Sequence, residues 1–130
     1  RRSTGGAEVM LSPSRDPGRW VLPRGWRGGR EPLCEAAARE AREEAGLGGA
    51  ISPFEAGRYF YAKALSRGLE VPCEVLVFPL RVSDIADRWK EQRQRERRWI
   101  CSAEAARMVN EPDLGHIIAG FCADPDKFAA

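Results

Sequence analysis

Residues 25–47 read Gly25-Trp26-Arg27-Gly28-Gly29-Arg30-Glu31-Pro32-Leu33-Cys34-Glu35-Ala36-Ala37-Ala38-Arg39-Glu40-Ala41-Arg42-Glu43-Glu44-Ala45-Gly46-Leu47, and the two halves ask for different backbones. The second half predicts a helix. Pro32 suits a first helical position, where its missing N–H is no loss. Residues 33–45 are mostly Ala, Glu, Arg and Leu, all good helix formers. Gly46 is placed to end the helix as a left-handed residue. At about 100° per residue, Glu40, Glu43 and Glu44 (i, i+3 and i+4) occupy about one third of the circumference. Arg39 reaches Glu43 one turn on. Like charges at i,i+4 cost about 0.2–0.5 kcal/mol per pair. The face is therefore either plainly solvated or balanced by a cation, and hard carboxylate oxygens are what Mg²⁺ or Mn²⁺ binds.

Ahead of the helix, Arg15, Arg19, Arg24, Arg27 and Arg30 alternate with Gly25, Gly28 and Gly29. Arginine forks and exposed backbone N–H groups suit phosphate oxygens. Any single one of these arginines also fits a solvated loop. A basic, glycine-rich loop thus runs directly into an acidic helix.

The bounds on the whole chain are modest. Its 130 residues make one domain with a single modest core. An apolar fraction of 43% and a charged fraction of 31% are those of a soluble globular protein. No apolar run approaches the roughly 18 residues of a membrane span, and no leader resembles a signal peptide. The chain begins Arg1-Arg2 without Met, so it is expected to be trimmed at the front, with a first strand lost. A net charge of +2 is too small to imply a nucleic-acid partner. Cys34, Cys73, Cys101 and Cys122 form no CxxC pair and His116 is the only histidine, which argues against zinc. Scattered cysteines of this kind are expected to be reduced thiols in a cytoplasmic protein.

The flanking sequence predicts further elements. Residues 8–11 and 20–22 are short apolar strands, separated by turn residues and closed by Pro23. Residues 50–64 carry β-rich patches, notably Tyr59-Phe60-Tyr61, and Ser66-Arg67-Gly68 suits a hairpin turn. Residues 69–82 read as one long strand, apolar on both faces, with Pro72 and Pro79 marking irregularity or an edge. Residues 84–98 are dense in charge and read as a loop with a helical turn, from which 97–101 leaves as a strand. Ser102 is a candidate N-cap for a helix over 103–109. Pro112 ends that helix, and 114–122 forms the last one, apolar at Leu114, Ile117, Ile118 and Phe121. Strands interleaved with helices give an α/β sandwich, a mixed sheet flanked by helices.

The spacing Gly25, five residues, Glu31, seven residues, Arg39-Glu40-Ala41-x-Glu43-Glu44-x-Gly46-Leu47 resembles the Nudix box at every fixed position. Ala41 stands where that family usually carries a larger aliphatic residue. The resemblance implies an α/β/α sandwich and hydrolysis of a diphosphate linkage with Mg²⁺ or Mn²⁺. It implies Glu40 and Glu44 as metal ligands together with the backbone carbonyl of Arg24, and Glu43 as a further ligand or the general base. Arg39 and Glu31 would orient the glutamates and tie the loop to the helix. Nudix sites are often completed by a carboxylate beyond the box, for which Glu96 is the candidate and Glu70 and Glu74 are weaker ones.

The lead-in Ser14-Arg15-Asp16-Pro17-Gly18-Arg19-Trp20-Val21-Leu22-Pro23-Arg24-Gly25 resembles that of diphosphoinositol polyphosphate phosphohydrolases. Arg95-Glu96-Arg97-Arg98-Trp99 is similar to the same group, and Val71-Pro72-Cys73-Glu74-Val75 looks like its bacterial branch. This implies a phosphate-rich small molecule, a diphosphoinositol polyphosphate or a dinucleoside polyphosphate. The phosphate contacts would come from Arg15, Arg24, Gly25, Arg27, Lys63, Arg95, Arg97 and Arg107. Alternatives are a nucleoside triphosphate or nucleotide-sugar hydrolase, and a Nudix-fold binding module without turnover. No nucleic acid or membrane partner is expected, and the chain would be a monomer or homodimer.

Overall fold

The computed structural model describes residues 2–3, 6–13, 20–24, 30–64, 68–90, 92, 97–109 and 111–123. In chain order these form β1 (Arg2–Ser3), β2 (Gly6–Pro13), β3 (Trp20–Val21), α1 (Leu33–Ala45), β4 (Leu47–Ile51), β5 (Gly57–Ala64), β6 (Glu70–Val77), β7 (Leu80–Ile85), β8 (Arg98–Cys101), α2 (Ser102–Met108) and α3 (Pro112–Ala123).

Strand β2 is the hub. It pairs antiparallel with β1, with β3 through Ser12–Val21 and Pro13–Trp20, and with β8 through Val9–Ile100 and Met10–Trp99. Alternation along β2 and β8 supplies two apolar faces. Leu11 and Ile100 point one way, into a cluster with Tyr59, Ala105, Val109, Leu114 and Ile118 beneath α2 and α3. Met10 and Trp99 point the other way, against Ala41, Ala45 and Leu47 of α1 and β4, with Leu80 and Val82 of β7. Helices therefore cover both sides of the central strands, which is the sandwich the sequence predicts. Leu11 and Leu114 are fully buried, and truncating such a side chain to Ala costs about 2–5 kcal/mol.

The other strands form two antiparallel pairs, β4 with β7 and β5 with β6. Every ladder among the described residues is antiparallel. The 69–82 run is two strands and not one: Phe78 and Pro79 interrupt it, because proline cannot donate to a ladder. The strand β4 directly follows α1, in a Gly-rich stretch where no strand was predicted. Its ladder bulges between Gly48 and Gly49. A Cβ at Gly49 would collide with the Arg81 carbonyl oxygen, so only glycine allows this approach.

The helix α1 covers the residues the sequence assigned to it. Pro32 occupies the N-cap and not the first helical position, and its carbonyl accepts the Ala36 N–H. Gly46 is left-handed at φ 67°, ψ 30°, and its N–H donates to the carbonyls of Ala41 and Arg42. Ser102 is not an N-cap. It is the first residue of α2 and is buried, while Cys101 precedes the helix. Pro112 does not merely end the helix before it; it opens α3. Cys34, Cys73 and Cys101 are free thiols. No helix is long and apolar enough to cross a membrane among the described residues.

Candidate active site

The inner face of α1 is alanine: Ala36, Ala41 and Ala45 are buried. Small side chains let the helix lie close on β4, and that seats the acidic face at the rim of the sandwich. Glu40 and Glu43 keep side-chain exposures of 14% and 29%. Glu44 turns inward and is 4% exposed.

A single guanidinium organises the first two acids. Arg39 Nε donates to Glu31 Oε2 at 3.1 Å and Nη2 to Glu31 Oε1 at 3.1 Å, a fork-to-fork pair across eight residues. Its remaining nitrogen, Nη1, lies 2.9 Å from Glu40 Oε1 and 3.5 Å from Glu43 Oε2. The hydrogen bonds to Glu31 raise the Arg39 pKa above its ordinary value, so its charge is fixed. Lys90 Nζ approaches the other Glu43 oxygen at 3.7 Å.

Burying a carboxylate such as Glu44 is costly unless it is bonded. Its Oε2 accepts the backbone N–H of Arg24 at 2.7 Å. The Arg24 amide thus anchors the loop to this acid. The Arg24 side chain turns away from the acidic face. Its guanidinium lies 3.9 Å from the Tyr61 ring centroid and Nη1 donates to Tyr59 Oη at 3.3 Å. Arg24 therefore ties the loop to β5, where the sequence reading made it a phosphate contact.

Arg97, also expected to contact phosphate, is likewise engaged within the fold. Its Nη1 donates to the Ala45 carbonyl at 2.8 Å and Nη2 to that of Ala86 at 2.6 Å, so it closes the end of α1. Arg107 is exposed in the last turn of α2. Lys63 lies in β5 opposite Val71, and its side chain is outside the described residues. Arg15, Gly25, Arg27, Arg95 and Glu96 also lie outside them. Glu74 is engaged by Arg58 at 2.9 Å, and Glu70 is exposed.

The structure brings Glu31, Arg39, Glu40 and Glu43 into one network and sets Glu44 beside it. Among the described residues no three acidic, cysteine or histidine side chains converge as a ready-made metal set. Arg39, Lys90 and the Arg24 amide each draw a carboxylate oxygen their own way. Carboxylate oxygens are the hard donors that a divalent cation takes, and Arg39 Nη1 already sets one positive group within reach of Glu40 and Glu43 together. Cationic charge is also favoured near a helix C-terminus.

A cavity of about 740 Å³ opens behind α1, lined by Ala36, Ala37, Ala41, Tyr59, Tyr61 and Arg24 among mainly apolar neighbours. None of Glu40, Glu43 and Glu44 lines it. The cavity thus carries Arg24, Glu74 and two tyrosines, and the three helix glutamates lie outside it.

Sequence reasoning missed Trp89 and Lys90. Trp89 Nε1–H donates to the Glu44 carbonyl at 2.9 Å. A tryptophan and a lysine inside the charge-dense 84–98 run were the only signal, and nothing in their spacing points to α1.

No protein-family model matches the chain. It is 32% identical over 117 residues to Nudix hydrolase 16, mitochondrial, of Arabidopsis thaliana, covering 88% of this chain and 64% of that protein. It is 35% identical over 101 residues to Nudix hydrolase 12, mitochondrial, of the same plant, covering 75% and 50%. The chain thus spans between half and just under two thirds of the length of these relatives. Among solved structures it is similar to a C. elegans Ap4A hydrolase binary complex, with a TM-score of 0.64 and 20% identity over 98% of this chain and 92% of that one. A second C. elegans Ap4A hydrolase structure gives 0.58 and 18% over 94% and 89%. At such identities the likeness establishes the fold alone.

Proposed function

We infer that the chain belongs to the Nudix family, and from that premise we propose that it is a divalent-metal pyrophosphohydrolase acting on a phosphorylated small molecule. One observation carries the reading: a single cationic nitrogen, Arg39 Nη1, is within reach of both Glu40 and Glu43 on the acidic face of α1. Glu40 and Glu44 would hold Mg²⁺ or Mn²⁺, with the carbonyl of Arg24 beside them. When bound, the ion supplies charge neutralisation for the diphosphate and a lowered pKa for water.

The chain's own residues do the rest. Glu43 is the most exposed of the three acids and meets bulk water, so it takes a proton from the attacking water and passes it on. Glu31 keeps Arg39 from swinging off the cluster, which holds the Glu40 and Glu43 carboxylates in register. Lys90, exposed beside Glu43, would supply a positive group to a diphosphate oxygen. The substrate is a dinucleoside polyphosphate or a diphosphoinositol polyphosphate. The arginine-rich sequence ahead of α1 supports this, as does a fold shared with Ap4A hydrolases.

The test is a panel of diphosphates with Mg²⁺ or Mn²⁺. Turnover of a dinucleoside polyphosphate or an inositol pyrophosphate is expected. Turnover of a nucleoside triphosphate or nucleotide sugar alone would move the substrate class to that alternative. Mn²⁺ binding without any turnover would make the chain a binding module.

A further inference from the structure

The last carbonyls of a helix have no intrahelical partner, and water is their usual recourse. At the end of α1 two side chains from a distant segment take them instead. Trp89 Nε1–H donates to Glu44 O at 2.9 Å, and Arg97 Nη1 donates to Ala45 O at 2.8 Å. Arg97 Nη2 also holds the Ala86 carbonyl at 2.6 Å, and the Ala86 N–H donates to Gly46 O at 2.8 Å. The Arg97 guanidinium lies 4.0 Å from the centroid of the Trp89 ring, so each side chain fixes the other. A Cβ at Gly46 would come within 3.1 Å of Trp89, which shows how closely the bracket sits on the helix end.

Glu44 is therefore fastened twice. Its carboxylate accepts the Arg24 amide and its main-chain carbonyl accepts the Trp89 indole. A glutamate whose backbone is free to fray in the last helical turn would present its carboxylate at a varying distance from Glu40. One with both ends fixed presents a constant pair of acids.

We propose that Trp89, held flat by Arg97, is a positioning residue for Glu44: its indole N–H fixes the main chain at residue 44 so that the Glu40–Glu44 pair keeps one geometry toward a divalent cation. This rests on the metal-dependent reading above. Partners that orient a ligand in this way change metal affinity or activity by about 10–100-fold when removed.

The experiment uses Mn²⁺ alone, titrated into the whole chain by calorimetry, beside steady-state kinetics. Trp89→Phe keeps the ring on Arg97 and removes only the donor. It is expected to weaken Mn²⁺ binding about tenfold and to lower kcat with little change in KM. Trp89→His restores a ring N–H and is expected to recover part of both losses. Leu114→Ala, a core truncation under α3, is the control for plain destabilisation and is expected to lower the Tm without moving Mn²⁺ affinity. Unchanged Mn²⁺ affinity in Trp89→Phe, or an equal loss in Leu114→Ala, overturns the inference. Should Trp89→Phe not fold, Arg97→Lys, which keeps the charge but loses the fork, carries the same comparison. If the unaltered chain neither binds Mn²⁺ nor turns over any diphosphate, the proposed function has failed, and this inference fails with it.

Discussion

Arg39 grips Glu31 with two nitrogens, at 3.1 Å each, and has one nitrogen left for Glu40 and Glu43. The same side chain thus ties the segment before α1 to the helix and balances two of its acids. Arg39→Lys retains the charge but not the fork, since an ammonium cannot hold three carboxylates in one plane. The expected result is a fall of about 10–100-fold in metal-dependent turnover, with the helix content unchanged by circular dichroism. A lysine variant as active as the parent would show that charge alone suffices there.

Glu44→Gln separates the structural use of this residue from its chemical one. The glutamine carbonyl still accepts the Arg24 N–H, so the hydrogen bond at 2.7 Å has a replacement. What is lost is the negative charge that a divalent ion needs. Turnover is expected to fall at least about 100-fold while urea denaturation midpoints stay close. A large loss of stability with activity intact would mean that the acid serves the fold and not the reaction.

Gly46 joins backbone conformation to packing. Its φ of 67° is one that L side chains rarely adopt, and an added Cβ would press on Trp89 at 3.1 Å and on Arg97 Nη1 at 3.2 Å. Gly68 has a similar φ of 74° with open space around it. Left-handed backbone alone costs a non-glycine residue about 1–2 kcal/mol. Gly68→Ala is expected to lose about that much and Gly46→Ala more, the excess measuring the crowding against Trp89. Equal losses in chemical denaturation would mean that the bracket yields freely.

Much of this was legible in the chain because it is local. Helix α1, its proline start and its glycine stop follow from residues within one or two turns of each other, and so does the Arg39–Glu43 contact. The Arg39–Glu31 pair was reached through the family motif, which records a contact made across the helix start. What was hidden is non-local. Nothing near Gly48-Gly49-Ala50 announces a strand, because its pairing with β7 depends on Arg81 coming close to a glycine. Apolar periodicity runs straight through Phe78-Pro79, although the missing N–H divides the run in two. Arg24 and Arg97 read as phosphate ligands because charge is visible in a sequence and partners are not. Tyr59, Tyr61 and the open carbonyls of α1 claim them only once the chain is folded.

Tyr59 offers a pH test of the Arg24 anchor. It is 1% exposed, and its oxygen accepts Arg24 Nη1 at 3.3 Å. Burial pushes its phenol above the ordinary value near 10, with Glu111 and Tyr61 adding to the rise, while the hydrogen bond and charge of Arg24 pull it down by less. The folded state therefore holds this proton more tightly than the unfolded one. The associated stability is complete below about pH 10 and is lost as pH climbs through the folded value, because the unfolded chain deprotonates first. Tyr59→Phe lacks that titration. At neutral pH the variant is expected to be less stable by about 1 kcal/mol, from the acceptor taken from Arg24. Raising the pH from about 9 to about 11 should narrow the gap, since only the parent has a buried phenol whose ionisation opposes folding. Urea unfolding of both proteins across that range gives the two curves directly. Curves that stay parallel would mean that Tyr59 loses its proton as readily inside the protein as in the unfolded chain.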